Sequence, residues 1–184
     1  MVKVLTVTGY KPMELNIFKV DDHRITYIKA AIRKRLIVFI EEGLEWVIVS
    51  GQMGVELWAA EVVQELQAEY AIKLAVIPPF ENQEQRWPES IQQAYQEITL
   101  QADFHKPLYV GNYKGSYQFT AKNKWLISKS DGCLVLMDVE YPGSVHYFYR
   151  EAKEVDHYPV YLITPADLDD VVEEIRMADP DYWL

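Results

Sequence analysis

A single cysteine among 184 residues excludes a disulfide scaffold and a structural zinc site, each of which needs several thiolates. The four histidines, at positions 23, 105, 146 and 157, show no metal-ligand spacing, so no metal site is expected. No apolar run approaches the ~20 residues that a bilayer crossing requires, which argues against membrane insertion. Basic residues are also scarce. Eighteen Lys and Arg stand against twenty-eight Asp and Glu, a formal net charge of −10. Binding nucleic acid by counterion release needs a basic face, and this chain would have to build one against its own field. The basic clusters Arg33-Lys34-Arg35 and Lys122 to Lys129 are short or interrupted by apolar residues, so nucleic acid is disfavoured as a partner. The stretch Met1-Val2-Lys3-Val4-Leu5 leads straight into a strand pattern with no small-residue cleavage site. No secretory leader is therefore expected, and a cytoplasmic location is.

What is present is a globular composition: 49% apolar and 25% charged residues, with five Trp, thirteen Tyr and six Phe. A chain of this length buries roughly 70% of its unfolded surface, enough for a full core. Short apolar runs alternate with helical patterns, as in a parallel sheet with crossover helices. Strands are predicted at 2–7, 46–49, 74–77, 109–110, 132–137 and 160–163. Helices are predicted at 23–42, 55–70, 88–102, 119–127, from the 142–144 loop to about 155, and at 165–177. In the first helix Ile28, Ile32, Leu36, Phe39 and Ile40 form one stripe that stops at Gly43. With no linker or repeat, residues 1–184 are expected to form one doubly wound α/β domain. The acidic end, 179–184, is a candidate interface segment.

In such sheets ligands bind beyond the carboxyl ends of the strands, near a topological switch point. That rule selects Thr8-Gly9-Tyr10, Ser50-Gly51-Gln52-Met53-Gly54, Pro78-Pro79-Phe80 and Asp138 to Ser144. The glycines at 51 and 54 let backbone amides approach a phosphate at a helix start, or merely supply positive φ in a tight turn. Glu56, in the first helical turn, is either a dipole-stabilising residue worth ~0.3–1 kcal/mol or a candidate hydroxyl acceptor or catalytic carboxylate. Lys122 is a candidate phosphate contact or an exposed helical lysine. Asp131 is placed to cap a turn, whereas Asp138, at a strand's carboxyl end, is better placed for a ligand. Tyr10, Phe80 and Trp87 have faces for base stacking, although packing is the commoner fate. Cys133 lies in an apolar strand pattern and reads as a small hydrophobe.

Three stretches, Thr8-Gly9-Tyr10-Lys11-Pro12, Ser50 to Glu61 and Lys129-Ser130-Asp131-Gly132, closely resemble the YpsA family. The resemblance runs nearly end to end. It implies a Rossmann-like three-layer α/β/α fold, mostly parallel, within the SMF/DprA–LOG (SLOG) superfamily. It further implies a nucleotide, ADP-ribose or NAD-like ligand and a link with bacterial cell division, hence a protein partner there. LOG-type phosphoribohydrolases carry a Gly-Leu-Met-Gly turn, and Gly51 and Gly54 look like its counterpart. Where those enzymes have Arg-Lys this chain has Lys122-Asn123. The strand-opening Asp is Asp131, and the PGGxGTxxE loop reduces to Pro142-Gly143-Ser144, with Tyr147 at the catalytic Glu position. The hydrolase set is incomplete, so the resemblance implies binding, with a sensor or regulatory role ahead of turnover. The expected ligand contacts are Thr8, Gly9, Tyr10, Ser50, Gly51, Gln52, Gly54, Glu56, Pro79, Phe80, Lys122, Asp138, Gly143 and Ser144. A LOG-like hydrolase using Glu56 and a cell-division interaction protein are the alternatives.

Overall fold

The computed structural model describes residues 1–183; Leu184, the end of the acidic segment named above, lies outside the described residues. Six parallel strands form one sheet: β1 (Val4–Gly9), β2 (Trp46–Val49), β3 (Lys73–Val76), β4 (Phe104–His105), β5 (Gly132–Leu136) and β6 (Val160–Ile163). Their order is β4-β3-β2-β1-β5-β6, so the chain winds outward from β1 to one edge and then crosses to β5. β1 and β5 are neighbours in space but far apart in sequence, with Leu5 opposite Gly132 and Gly9 opposite Leu136. All five residues of β5 are buried, as are the last five of β1. Continuous burial is why β5 reads as an unbroken apolar run, helices covering both faces, while the buried Thr6 and Thr8 of β1 have their hydroxyls hydrogen-bonded.

The helices are α1 (His23–Glu41), α2 (Val55–Leu66), α3 (Glu89–Gln101), α4 (Tyr117–Ser128), α5 (His146–Glu154) and α6 (Pro165–Ala178). Contacts run from α6 to α1, α1 to α2 and α2 to α3, while α4 and α5 pack on each other. Right-handed crossovers put the first group on one face and the second on the other. Local chemistry fixes the ends. Asp22 accepts the Arg24 amide at the start of α1, and Gly43 follows its end at φ 110°. Thr164 and Asp167 cap α6 reciprocally behind Pro165. The Asp131 carboxylate accepts the Lys3 and Val4 amides at 3.0 and 2.9 Å, tying the starts of β1 and β5 at the sheet edge opposite the crevice.

Some predicted bounds move. The edge strand is Phe104–His105, two exposed residues, and Tyr109 makes only a lone bridge to Phe80. α2 ends at Leu66 and α4 starts at Tyr117. Pro88 caps α3 from outside, and a 3₁₀ turn at Gly143–Val145 precedes α5. A further 3₁₀ turn, Pro12–Leu15, follows β1. Its sequence has too few residues for a periodic signal. Cys133 is fully buried, and burial pushes its thiol up to about 12. No helix among the described residues is long and apolar enough to cross a membrane.

Candidate functional site

The carboxyl ends of β1, β2 and β5 converge at the switch point, and the two sides of this edge differ in how their polar groups are used. On the β1–β2 side Glu56, only 4% exposed, stands in the first turn of α2. Its Oε1 accepts the Ser50 amide and hydroxyl, both at 2.7 Å, and its Oε2 accepts the Thr8 hydroxyl at 3.1 Å. One carboxylate thus clamps the ends of two strands to the start of a helix, where the helix dipole favours its charge.

The glycines here face the chain itself. A Cβ on Gly54 (φ 97°) would lie 2.4 Å from the Tyr10 carbonyl oxygen, and one on Gly9 would lie 2.7 Å from a Val55 methyl. The Val55 amide donates to the Tyr10 carbonyl at 3.1 Å, sealing the contact between the two turns. A Cβ on Gly51 would meet the Tyr95 ring at 2.8 Å. Gln52 accepts the Met53 amide, and the Ser50 carbonyl accepts from Gln83 at 2.8 Å. These residues are brought together as expected, and the space that their missing side chains leave is filled by neighbouring protein atoms.

Beside β5, the Tyr10 hydroxyl accepts the Asp138 amide at 2.7 Å and donates to the Tyr141 carbonyl. Burial raises the Tyr10 pKa above its ordinary 10.0. Asp138 accepts the Glu140 amide in the turn after β5. Gly143 and Ser144 are exposed, but their anion position is occupied from within: Glu14 accepts the Ser144 amide at 2.8 Å and its hydroxyl at 2.7 Å. Burial alone would raise the Glu14 carboxyl; the Ser144 hydrogen bonds and the amide and charge of Lys11 overcome that and hold it below 4.5.

Pro79 and Phe80 lie further along the edge and are buried. The Pro79 carbonyl accepts the Tyr109 amide, and Phe80 packs against Tyr113 and Phe119 at ring separations of 5.5 and 5.7 Å. Trp87 stacks edge-on against Tyr95.

Lys122, on α4, is different. It is half-buried and, among the described residues, makes no hydrogen bond or ion pair. Burial lowers its pKa, with the charges of Glu56 and Glu151 opposing that and Lys11 adding to it. Other polar atoms on α4 and α5 are also without partners. Gln118 is fully buried with Nε2 unpartnered, Asn123 is 7% exposed with Oδ1 unpartnered, and Glu151 on α5 has Oε2 buried and unpartnered. Motif alignment passes over Glu151, because it points to Tyr147, which is exposed. The missed signal is that Glu151 follows Tyr147 by one helical turn. Glu14 carries no sequence signal at all.

A cavity of about 890 Å³ lies between the segment entering α1 and helices α2 and α3, lined by Met13, Ile17, Phe18, Ile25, Trp58 and Ile91 among others. Of the expected ligand contacts only Gly54 borders it.

The strand order, the two helical layers and a crevice at the crossing point define a Rossmann-like α/β protein. Residues 5–168 match the family model YpsA, described as the YspA SLOG family. The chain is 63% identical over 182 residues to a UPF0398 protein of Oceanobacillus iheyensis, covering 98% of this chain and 99% of that one. It is 51% identical over 176 residues to UPF0398 protein YpsA of Bacillus subtilis, covering 94% and 98%. A UPF0398 protein of Bacillus pumilus is 49% identical over 179 residues, covering 97% and 95%. The chain belongs to the YpsA family.

Proposed function

We propose that this protein binds a small anionic, nucleotide-derived ligand at the switch point between β1 and β5 and acts as a sensor without turnover. The observation that supports this most is the Lys122 ammonium, half-buried and unpaired beside the crevice. A buried charge without a partner costs the fold, and a ligand anion would relieve that cost. The glycine turns then serve as the scaffold of the site. Glu56 is poorly suited to general acid–base work, because three protein donors already engage its two oxygens and a catalytic base must reach a substrate proton. That favours binding over the hydrolase alternative.

The test is a thermal-shift screen with AMP, ADP, ADP-ribose and NAD on the unmodified protein and on Lys122→Met. A ligand at 100 times its Kd stabilises by about 2.7 kcal/mol. The expected result is a shift with at least one compound that disappears in the variant. No shift with any compound, or an equal shift in Lys122→Met, removes this reading. In a sensor the bound state must be read by another molecule. The apolar side chains of Phe18 and Val20, exposed at the mouth of the 890 Å³ cavity, favour a protein partner on that face.

A further inference from the structure

The 890 Å³ cavity lies on the opposite helical layer from Lys122. Its lining is largely apolar, with Ile17, Ile25, Leu57, Trp58 and Ile91 drawn from the segment entering α1 and from α1, α2 and α3. At its mouth Phe18 is 79% exposed and Val20 64%, with Met13 exposed beside them. Large apolar side chains gathered in water around a hollow mark an interaction surface. The chain turns sharply here, the Asp22 amide donating to the Lys19 carbonyl at 3.3 Å, so Val20 stands in a turn with Lys19 and Asp21 on either side.

Charge decides what fits. The twenty lining residues include Lys19 and Lys29 against Asp21, Asp22 and Glu61, a net charge of −1 on a chain of −10. Three of these five are engaged within the chain: Lys29 pairs with Glu61 at 3.0 Å, and Asp22 with Arg24 at 2.7 Å. Lys19 and Asp21 are exposed, and among the described residues neither makes an ion pair. The face therefore presents one open charge of each sign, two residues apart.

A basic partner would be drawn to the acid-rich remainder of the surface. A small apolar molecule would fill the hollow and leave Phe18 and Val20 in water. A second copy of the same face answers both features. It brings a knob for the hollow and a hollow for the knob, and its two open charges, turned about a two-fold axis, meet their opposites. Closed two-fold dimers are built in this way, from one patch complementary to itself. Twenty residues also reach the range of about 20–30 that a stable interface takes from each side.

We propose that two copies of this chain associate through this face about a two-fold axis passing beside Val20. Phe18 of each copy enters the cavity of the other, and Lys19 pairs with the partner's Asp21. The near-neutral face is what lets two chains of −10 approach. This gives the apolar face its partner and does not depend on Lys122.

The experiment is sedimentation velocity on the full chain without ligand, from about 1 to 300 μM, a range that brackets a micromolar dimer. The unmodified protein should pass from one chain to two as its concentration rises. Phe18→Asp, at an exposed position that leaves the fold intact, should weaken the dimer about 30-fold or more. Lys19→Asp and Asp21→Lys should each be monomeric alone, because each sets like charges against one another across the axis. Mixed in equal amounts, the two charge variants should form a heterodimer, since every pair across the axis is then opposite in sign. A chain that stays single throughout the range overturns the proposal and leaves the hollow to a different occupant. A dimer that survives Phe18→Asp places the contact on another face and overturns it as well. Charge variants that fail to associate when mixed overturn the two-fold pairing. None of these outcomes touches the ligand screen on Lys122→Met, so the two readings fail separately.

Discussion

The two sides of the carboxyl edge are built from similar ingredients and do opposite things with them. On the β1–β2 side a buried carboxylate, two hydroxyls and three glycines close on one another until the polar groups of Glu56 are matched within the chain. On the α4–α5 side Lys122 makes no ion pair among the described residues, and Gln118 Nε2, Asn123 Oδ1 and Glu151 Oε2 are buried without partners. The contrast teaches that a glycine-rich turn at a switch point is no guarantee of room for a ligand. Glycine permits close approach, but the approaching atom can belong to the protein. The α4–α5 side is where stability has been left unrealised, since buried polar atoms without partners cost the fold.

The hardest blow to this comparison would come at Gly54. Alanine there must hold a φ of 97° and place its Cβ against the Tyr10 backbone, so Gly54→Ala is expected to cost about 3 kcal/mol in urea unfolding. Binding lost in that variant would report damage to the fold, which makes Gly54 a poor probe of ligand contact. Glu56→Leu should follow, at about 2 kcal/mol, because the Ser50 amide and the Ser50 and Thr8 hydroxyls lose their acceptor. Stability close to that of the unmodified protein would show that the closed side is not held by this clamp.

Lys122→Met should act in the opposite direction, raising the melting temperature by about 2–4 °C while abolishing ligand binding. The sign follows from proton linkage. Burial sets the folded pKa of Lys122 below its ordinary 10.5, so the unfolded chain binds the proton more tightly. Stability of the unmodified protein should therefore rise with pH from the folded value up to about 10.5, a slope that Lys122→Met removes. A destabilised Lys122→Met protein would mean that the ammonium supports the fold, and the contrast between the two sides would fail.

The smallest effect is expected at Glu14. Its carboxyl is held below 4.5, so its contribution is present above that pH and lost as pH falls through the folded value. The group is half-buried and still screened in part by solvent, so Glu14→Gln should cost about 1 kcal/mol at neutral pH. The difference from the unmodified protein should vanish in acid, which urea titrations at pH 3 to 6 would measure.

The strands β1, β2 and β5 were legible because a strand covered on both faces is mostly apolar, with only Thr6 and Thr8 of β1 interrupting the pattern. β4 was not, since Phe104 and His105 are exposed and two residues carry no period. The positions at the switch point were legible for the same topological reason: Thr8 ends β1, Ser50, Gly51 and Gly54 join β2 to α2, and Glu56 lies in the first turn of α2. Their use was not. Glu56 offers one carboxylate to any reader of the chain, and whether it meets a ligand hydroxyl or Thr8 and Ser50 depends on where β1 and β2 end in space. Asp131 likewise looked like a turn residue and instead holds two amides from the start of the chain.

The amino-acid sequence by itself determined the alternation of strand and helix, the acidic charge, the family and the edge of the sheet where chemistry belongs. These are properties of local periodicity and composition, and each survives without knowledge of any distant neighbour. The tertiary structure alone decided which polar groups are satisfied. Glu14 meets Ser144 across 130 positions, and the charge of Glu151 acts on Lys122 from a different helix without contact. Whether a donor or acceptor is open depends on atoms brought within about 3 Å by the fold, and no local pattern encodes that meeting.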